Sequence, residues 1–95
     1  MSRSKPNANE RMTASKGTFN VNNTVEKVVD FFAFEVKEDT VIARIEINGD
    51  TATDVKANYI ANPAVAVKAG LITSQGDDYF SAITLTSGSV ELLLM

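Results

Sequence analysis

The sequence predicts an all-β protein: a small antiparallel sandwich or barrel of seven to eight short strands with an extended N-terminal arm. Three observations predict it. From Thr18 onward, apolar runs of roughly 4–9 residues recur with turn residues about every 8–12 positions, the spacing of small sandwiches and barrels. The five glycines stand singly, at turn positions. Composition changes at Gly17: residues 1–16 are rich in Ser, Asn, Lys and Arg, with Met1 and Met12 their only strong apolar residues. Such a segment cannot bury enough surface to fold alone. The expected division is an arm over residues 1–17 and one β domain over residues 18–95.

Taken in order, Thr18-Phe19-Asn20-Val21 alternates and ends at the Asn22-Asn23 turn. Thr24–Val29 reads as a strand or as a single helical turn capped by Thr24, although Val is a poor helix former. Phe31–Val36 is the first strong strand, with Phe32, Phe34 and Val36 sharing one face and Phe31, Ala33 and Glu35 the other. Thr40–Asn48 alternates most cleanly. Val41, Ala43, Ile45 and Ile47 are expected inward, and Ile42, Arg44, Glu46 and Asn48 outward. Asn48-Gly49-Asp50 is a turn, because Asn and Gly tolerate positive φ. A short strand is expected through Ala52–Val55. Pro63 confines any strand near it to an edge or a start, Ala64–Val67 is β-like, and Leu71-Ile72-Thr73 is a short strand before the polar loop Ser74–Asp78.

The chain ends in Tyr79–Met95, where Phe80–Leu85 and Val90–Leu94 flank Thr86-Ser87-Gly88-Ser89 and read as a hairpin. Beyond its turn, Val90, Leu92 and Leu94 point one way and Glu91, Leu93 and Met95 the other. Both faces are therefore apolar near the end. Either the strand lies between two layers of its own domain or another chain covers it. A chain of 95 residues has little core to spare for a second face, so the second is favoured, with Leu93 and Met95 as the candidate subunit interface. The stretch also has an echo. FFAFEVKEDTVIAR from Phe31 follows FSAITLTSGSVELL from Phe80 without gaps, Thr40-Val41 matching Ser89-Val90. An internal duplication and convergent strand patterning both account for it.

Charge and residue types narrow the function. Residues 1–16 carry four basic residues (Arg3, Lys5, Arg11, Lys16) against Glu10, a net of +3. The remainder carries five basic against eleven acidic residues, a net of −6. A basic arm on an acidic body points to an acidic partner for the arm. With no Cys there are no disulfides, and with neither Cys nor His a zinc site is not expected. No apolar run approaches the roughly 20 residues of a membrane helix, and the N-terminus lacks the apolar region of a signal peptide. Synthesis in a cytoplasm is expected.

Catalysis is not expected either. His, the commonest general base, is absent, and the acid pairs Glu38-Asp39 and Asp77-Asp78 sit in turns. Gly76-Asp77-Asp78 falls short of a calcium loop. No catalytic, cofactor or metal-binding residue is assigned. A small barrel binding single-stranded nucleic acid is the rival of another class. Against it, the body is acidic and Phe32, Phe34, Phe80 and Tyr79 lie inside apolar runs, which leaves phosphates only the arm.

The run from Ala69-Gly70 through Phe80, Ile83, Leu85, Thr86, Ser87, Gly88 and Val90, with the upstream hairpin Phe34–Ala43 (FEVKEDTVIA), resembles small tailed-phage virion proteins. These are head-decoration, auxiliary capsid or head-fibre components. The resemblance covers roughly residues 31–95 and rests on turn-and-strand motifs. It implies a compact β domain, often trimeric, on the capsid exterior. Its partner would be the major capsid protein, engaged by Arg3, Lys5, Arg11 and Lys16, and other head-fibre proteins are further candidates. It also implies neither catalysis nor a cofactor. The chain departs from the pattern in Asn58–Val67, which looks inserted, and in its apolar Leu-Leu-Leu-Met ending.

Overall fold

The computed structural model describes residues 17–95; the expected arm residues Arg3, Lys5, Arg11 and Lys16 lie outside them. The elements are β1 (Thr18–Val21), β2 (Lys27–Val36), β3 (Val41–Ile47), the one-turn helix α1 (Lys56–Tyr59), β4 (Gly70–Thr73), β5 (Phe80–Ser87) and β6 (Val90–Leu94). Every strand pairing is antiparallel. The all-β expectation holds, with six strands among the described residues rather than seven or eight.

The two missing strands have local causes. Ala52–Val55 caps the edge of β3 instead of extending a ladder. The Asp54 carboxylate accepts the Ile45 N–H at 3.1 Å, and the Val55 N–H donates to the Ile45 carbonyl at 2.8 Å. A side chain thus substitutes for a backbone partner, and the segment turns into α1. Ala64–Val67 contributes only a bridge, in which Val67 and Thr40 exchange both backbone hydrogen bonds. The ambiguous stretch Thr24–Val29 resolves as strand from Lys27 onward, continuous with Phe31–Val36.

Strand order corrects the hairpin expectation. The sheet runs β1-β6-β2-β5-β3, with β4 also beside β2. β2 therefore separates β5 from β6, and β5 separates β2 from β3. The two units that echo each other in sequence interlock rather than folding as separate hairpins. Exchanging β2 with β5 and β3 with β6 maps the order β6-β2-β5-β3 onto itself, and Phe31 stands opposite its counterpart Phe80. Past the irregularity at Ala43 the outer pairings differ by a two-residue slip: Phe34 faces Leu92, whereas its counterpart Ile83 faces Ile45, two positions beyond Ala43; nearer the bend the offset is one, Val36 facing Val90 and its counterpart Leu85 facing Ile42. A slip of two keeps every side chain on its own face.

At the other end of this pseudo-twofold arrangement the two connecting bends meet. The Ser89 N–H donates to Thr40 Oγ1 at 3.1 Å, that hydroxyl donates to the Glu38 carbonyl at 2.9 Å, and Ser89 Oγ donates to Glu38 Oε1 at 2.7 Å. Thr40 is fully buried. Gly88 has φ 89°, and a Cβ there would lie 2.3 Å from Thr40 Oγ1 and 2.5 Å from the Asp39 carbonyl. Both conditions demand glycine.

Bulges decide which side chains face the core. On β2, Phe31 faces Leu94 and Ala33 faces Leu93, so Phe32 is the extra residue. Phe31 consequently joins Phe34 and Val36 in the main core, and Phe32 turns to the opposite face with Ala33 and Met95. On β3, Ile42 faces Leu85 and Arg44 faces Thr84, which leaves Ala43 unpaired. Ile42 and Ile45 are then both buried, and the expected alternation through Val41, Ala43 and Ile47 is lost. The rings of Phe31, Phe34 and Phe80 meet at centroid distances of 5.1–6.3 Å, and Tyr59 from α1 closes on Phe80 at 4.9 Å. Each such pair adds about 0.5–1.5 kcal/mol beyond its burial.

Candidate functional site

β5 crosses between β2 and β3, so that Val28, Ala82 and Glu46 stand in one row on the outer face. Ala82 and its neighbour Ser81 are small. The row is low in the centre and tall at its flanks, which makes a groove of about 450 Å³. One wall is Glu26, Val28 and Asp30, the other Glu46, Gly49 and Thr51, and Ser81 lies between them.

Each wall follows from its sequence. Glu26, Val28 and Asp30 are spaced by two at the start of β2, and strand periodicity aligns them. The far wall depends on the Asn48-Gly49 turn. Asn48 and Gly49 have φ of 57° and 75°, as the sequence predicts, and the Asp50 N–H closes on the Ile47 carbonyl at 2.9 Å. The Gly49 N–H donates to Ser81 Oγ at 3.0 Å and ties the turn to the floor. Arg44 Nε donates to Glu46 Oε2 at 2.9 Å, and its Nη2 donates to the Thr51 carbonyl at 2.9 Å. The hydrogen bond to Glu46 raises the pKa of Arg44 further.

The Glu46 side chain is only 7% exposed, against the outward expectation, because Arg44 covers it and neutralises it. Glu26 and Asp30 flank Val28 on the β2 side of the groove. Glu26 is exposed, Asp30 is half-buried, and Val28 between them is 68% exposed. Val28 is the one apolar side chain among the lining residues, the others being glycine or polar. Among the described residues, no three carboxylates converge as metal ligands.

Asp54, behind the far wall, is held in place electrostatically. Burial alone would raise its carboxyl pKa, but the hydrogen bonds from the Lys56 ammonium, the Lys56 N–H and the Ile45 N–H outweigh this and lower it.

The residues expected from sequence are dispersed. Met95 is 5% exposed and packs on Phe32 and Ala33 of its own chain, while Leu93 beside it is half-buried. Glu38 accepts from Ser89, Asp78 accepts from Asn48 Nδ2 at 2.8 Å, and Asp39 and Asp77 are exposed. These four carboxylates organise or border turns. Phe32, Phe34 and Phe80 are fully buried and offer no face to a nucleic-acid base. The groove itself was missed. Its one sequence signal is the alternation Glu26-x-Val28-x-Asp30, and its other wall required the fold. Comparison with protein-family models, with characterised proteins and with solved structures gives no match.

Proposed function

We propose that this protein is a structural virion component that decorates and braces a tailed-phage capsid. The body sits on the capsid exterior, and the basic residues of 1–16 dock on the major capsid protein. The observation that carries this reading is the division of labour within the chain. Residues 21–92 supply the main core cluster, while a separate +3 segment precedes an acidic body. A lattice repeats each contact many times, so modest affinity per copy suffices to brace it. The head-fibre base is the same chemistry at a different place on the shell. We further propose that the sheet wraps into a small sandwich. In support, β2 pairs with β5 through its first half and with β6 through its second, and the Lys27 ammonium lies 4.1 Å above the Phe19 ring of β1.

The test is co-sedimentation and negative-stain imaging of the full chain with empty phage heads. Replacing Arg3, Lys5, Arg11 and Lys16 together by Gln should abolish binding with thermal stability unchanged; undiminished binding by that variant removes the arm as anchor. Self-association is proposed through the Leu93 side of β6. Leu93→Asp should dissociate the oligomer before it unfolds the domain. If instead the variant loses several kcal/mol of stability without any change in mass, Leu93 serves only its own chain.

A further inference from the structure

We propose that Asn48 is a covalent modification site: its side-chain amide is lost by attack of the Gly49 nitrogen, and the fold restrains this reaction through hydrogen bonds on the reacting atoms. Asn48 is the one asparagine of the sequence that is followed by glycine. Glycine carries no side chain to shield its nitrogen, so ring closure is least hindered there. Both residues are exposed, and a Cβ built at Gly49 would have nothing within 4 Å. Water and the reacting groups therefore meet no steric obstacle.

The reaction needs only water as co-reactant. The Gly49 nitrogen gives up its proton and bonds to the Asn48 side-chain carbonyl carbon. The bond from that carbon to Nδ2 breaks, and Nδ2 leaves as ammonia, carrying the proton. Water then opens the resulting five-membered imide at either carbonyl. The products are aspartate at position 48 and an isoaspartyl linkage, in which the main chain runs through the former side chain. Nothing is oxidised or reduced.

In the folded chain both atoms consumed by the reaction are engaged. The proton to be removed is the one that Gly49 donates to Ser81 Oγ at 3.0 Å. The nitrogen that must leave donates to Asp78 Oδ1 at 2.8 Å. Asn48 Oδ1 is held as well, accepting the Tyr79 N–H at 3.1 Å. All these partners lie at the start of β5 or just before it, so the reaction waits for this end of the β3–β5 ladder to open locally. The products do not restore the contacts. The imide nitrogen has no proton for Ser81, and an aspartate at 48 sets a second carboxylate against Asp78. The isoaspartyl form also lengthens the turn by one main-chain atom. Gly49 and Thr51 line the groove, so a one-way conversion at Asn48 reshapes its far wall. This inference does not depend on the virion reading.

The experiment incubates the full chain in mildly alkaline buffer, native and in denaturant. It follows the mass gain of amide-to-acid conversion and locates it by peptide mapping. The native chain should convert at Asn48 about 30-fold more slowly than the denatured chain, the factor for two hydrogen bonds. Ser81→Ala and Asp78→Ala should each speed native conversion about fivefold. Ser89→Ala removes one hydrogen bond of similar kind, to Glu38, at the far end of the ladder and should leave the rate unchanged. Equal rates in the native and denatured chain overturn the proposal, as does native conversion centred on another asparagine. So does an absence of response to Ser81→Ala and Asp78→Ala. An equal response to Ser89→Ala overturns it too, because the reaction would then run through global unfolding. Capsid binding is not read in this experiment, so its outcome is independent of the test above.

Discussion

The β2–β3 and β5–β6 units hold equivalent places in the fold and differ most on their outer faces. Inward, they match: Phe31 with Phe80, Phe34 with Ile83 and Val36 with Leu85 are all buried in one core. Outward, Phe32 of the first unit corresponds to Ser81 of the second, and Leu93 and Met95 correspond to Arg44 and Glu46. In one half these positions form a small apolar cluster, roofed by the end of the chain and rimmed by Tyr79. In the other they form a polar groove held by an Arg–Glu pair. The inner face of a small sheet must bury apolar area to exist, and is therefore held constant. The outer face is free to diverge, and there the two halves acquire different properties.

The sharpest way to break this comparison is to give the first half the residue of the second. Phe32→Ser removes a fully buried ring and should cost about 3–5 kcal/mol. By contrast, Ser81→Ala removes only the acceptor for the Gly49 N–H and should cost about 1 kcal/mol. Chemical denaturation of both variants measures the difference. Similar costs would mean that the outer faces are equivalent after all.

Next in size is the contact that locks the halves together. Gly88→Ala combines a strained φ with a clash against Thr40 and Asp39 and should cost about 2–4 kcal/mol. Gly49→Ala, also at positive φ but with open space around it, should cost about 1 kcal/mol. Equal losses in thermal melts would show that backbone strain alone matters at Gly88, and that the meeting of the bends contributes little.

The smallest effect concerns the edge of β3. Because the folded-state pKa of Asp54 is lowered from 3.8, its ionised form stabilises the fold. That contribution is complete above the ordinary value and is lost as the pH falls below it through the folded pKa. Asp54→Asn should cost about 1–2 kcal/mol at neutral pH and flatten stability against pH in this acid range. An unchanged acid profile would locate the pH dependence in other carboxylates.

Composition and periodicity alone determined much of this protein. The strands from Phe31, from Val41, from Phe80 and from Val90 were legible because half-buried strands must alternate and must end at turn residues. The positive φ at Asn48 and Gly49 was legible because few residues tolerate it. The apolar end of the second face of β6 was legible too, since Leu93 and Met95 follow Glu91 on it.

What only the tertiary structure decided was pairing and phase. Short connections at Lys37–Asp39 and Thr86–Ser89 look like hairpin turns, and nothing local indicates that each strand's partner comes from the other unit. The bulges at Phe32 and Ala43 are equally invisible, because an unpaired residue is defined by its neighbouring strand and not by its own side chain. That single-residue change of phase sent Phe32 outward and brought Ile42 in. The groove has the same origin: Glu26, Val28 and Asp30 could be read along the chain, but Ser81 and Glu46 joined them only when β5 was inserted between β2 and β3. Local pattern specifies which backbone can be strand, and long-range packing selects which strands meet, because the energy that chooses partners lies in contacts between distant residues.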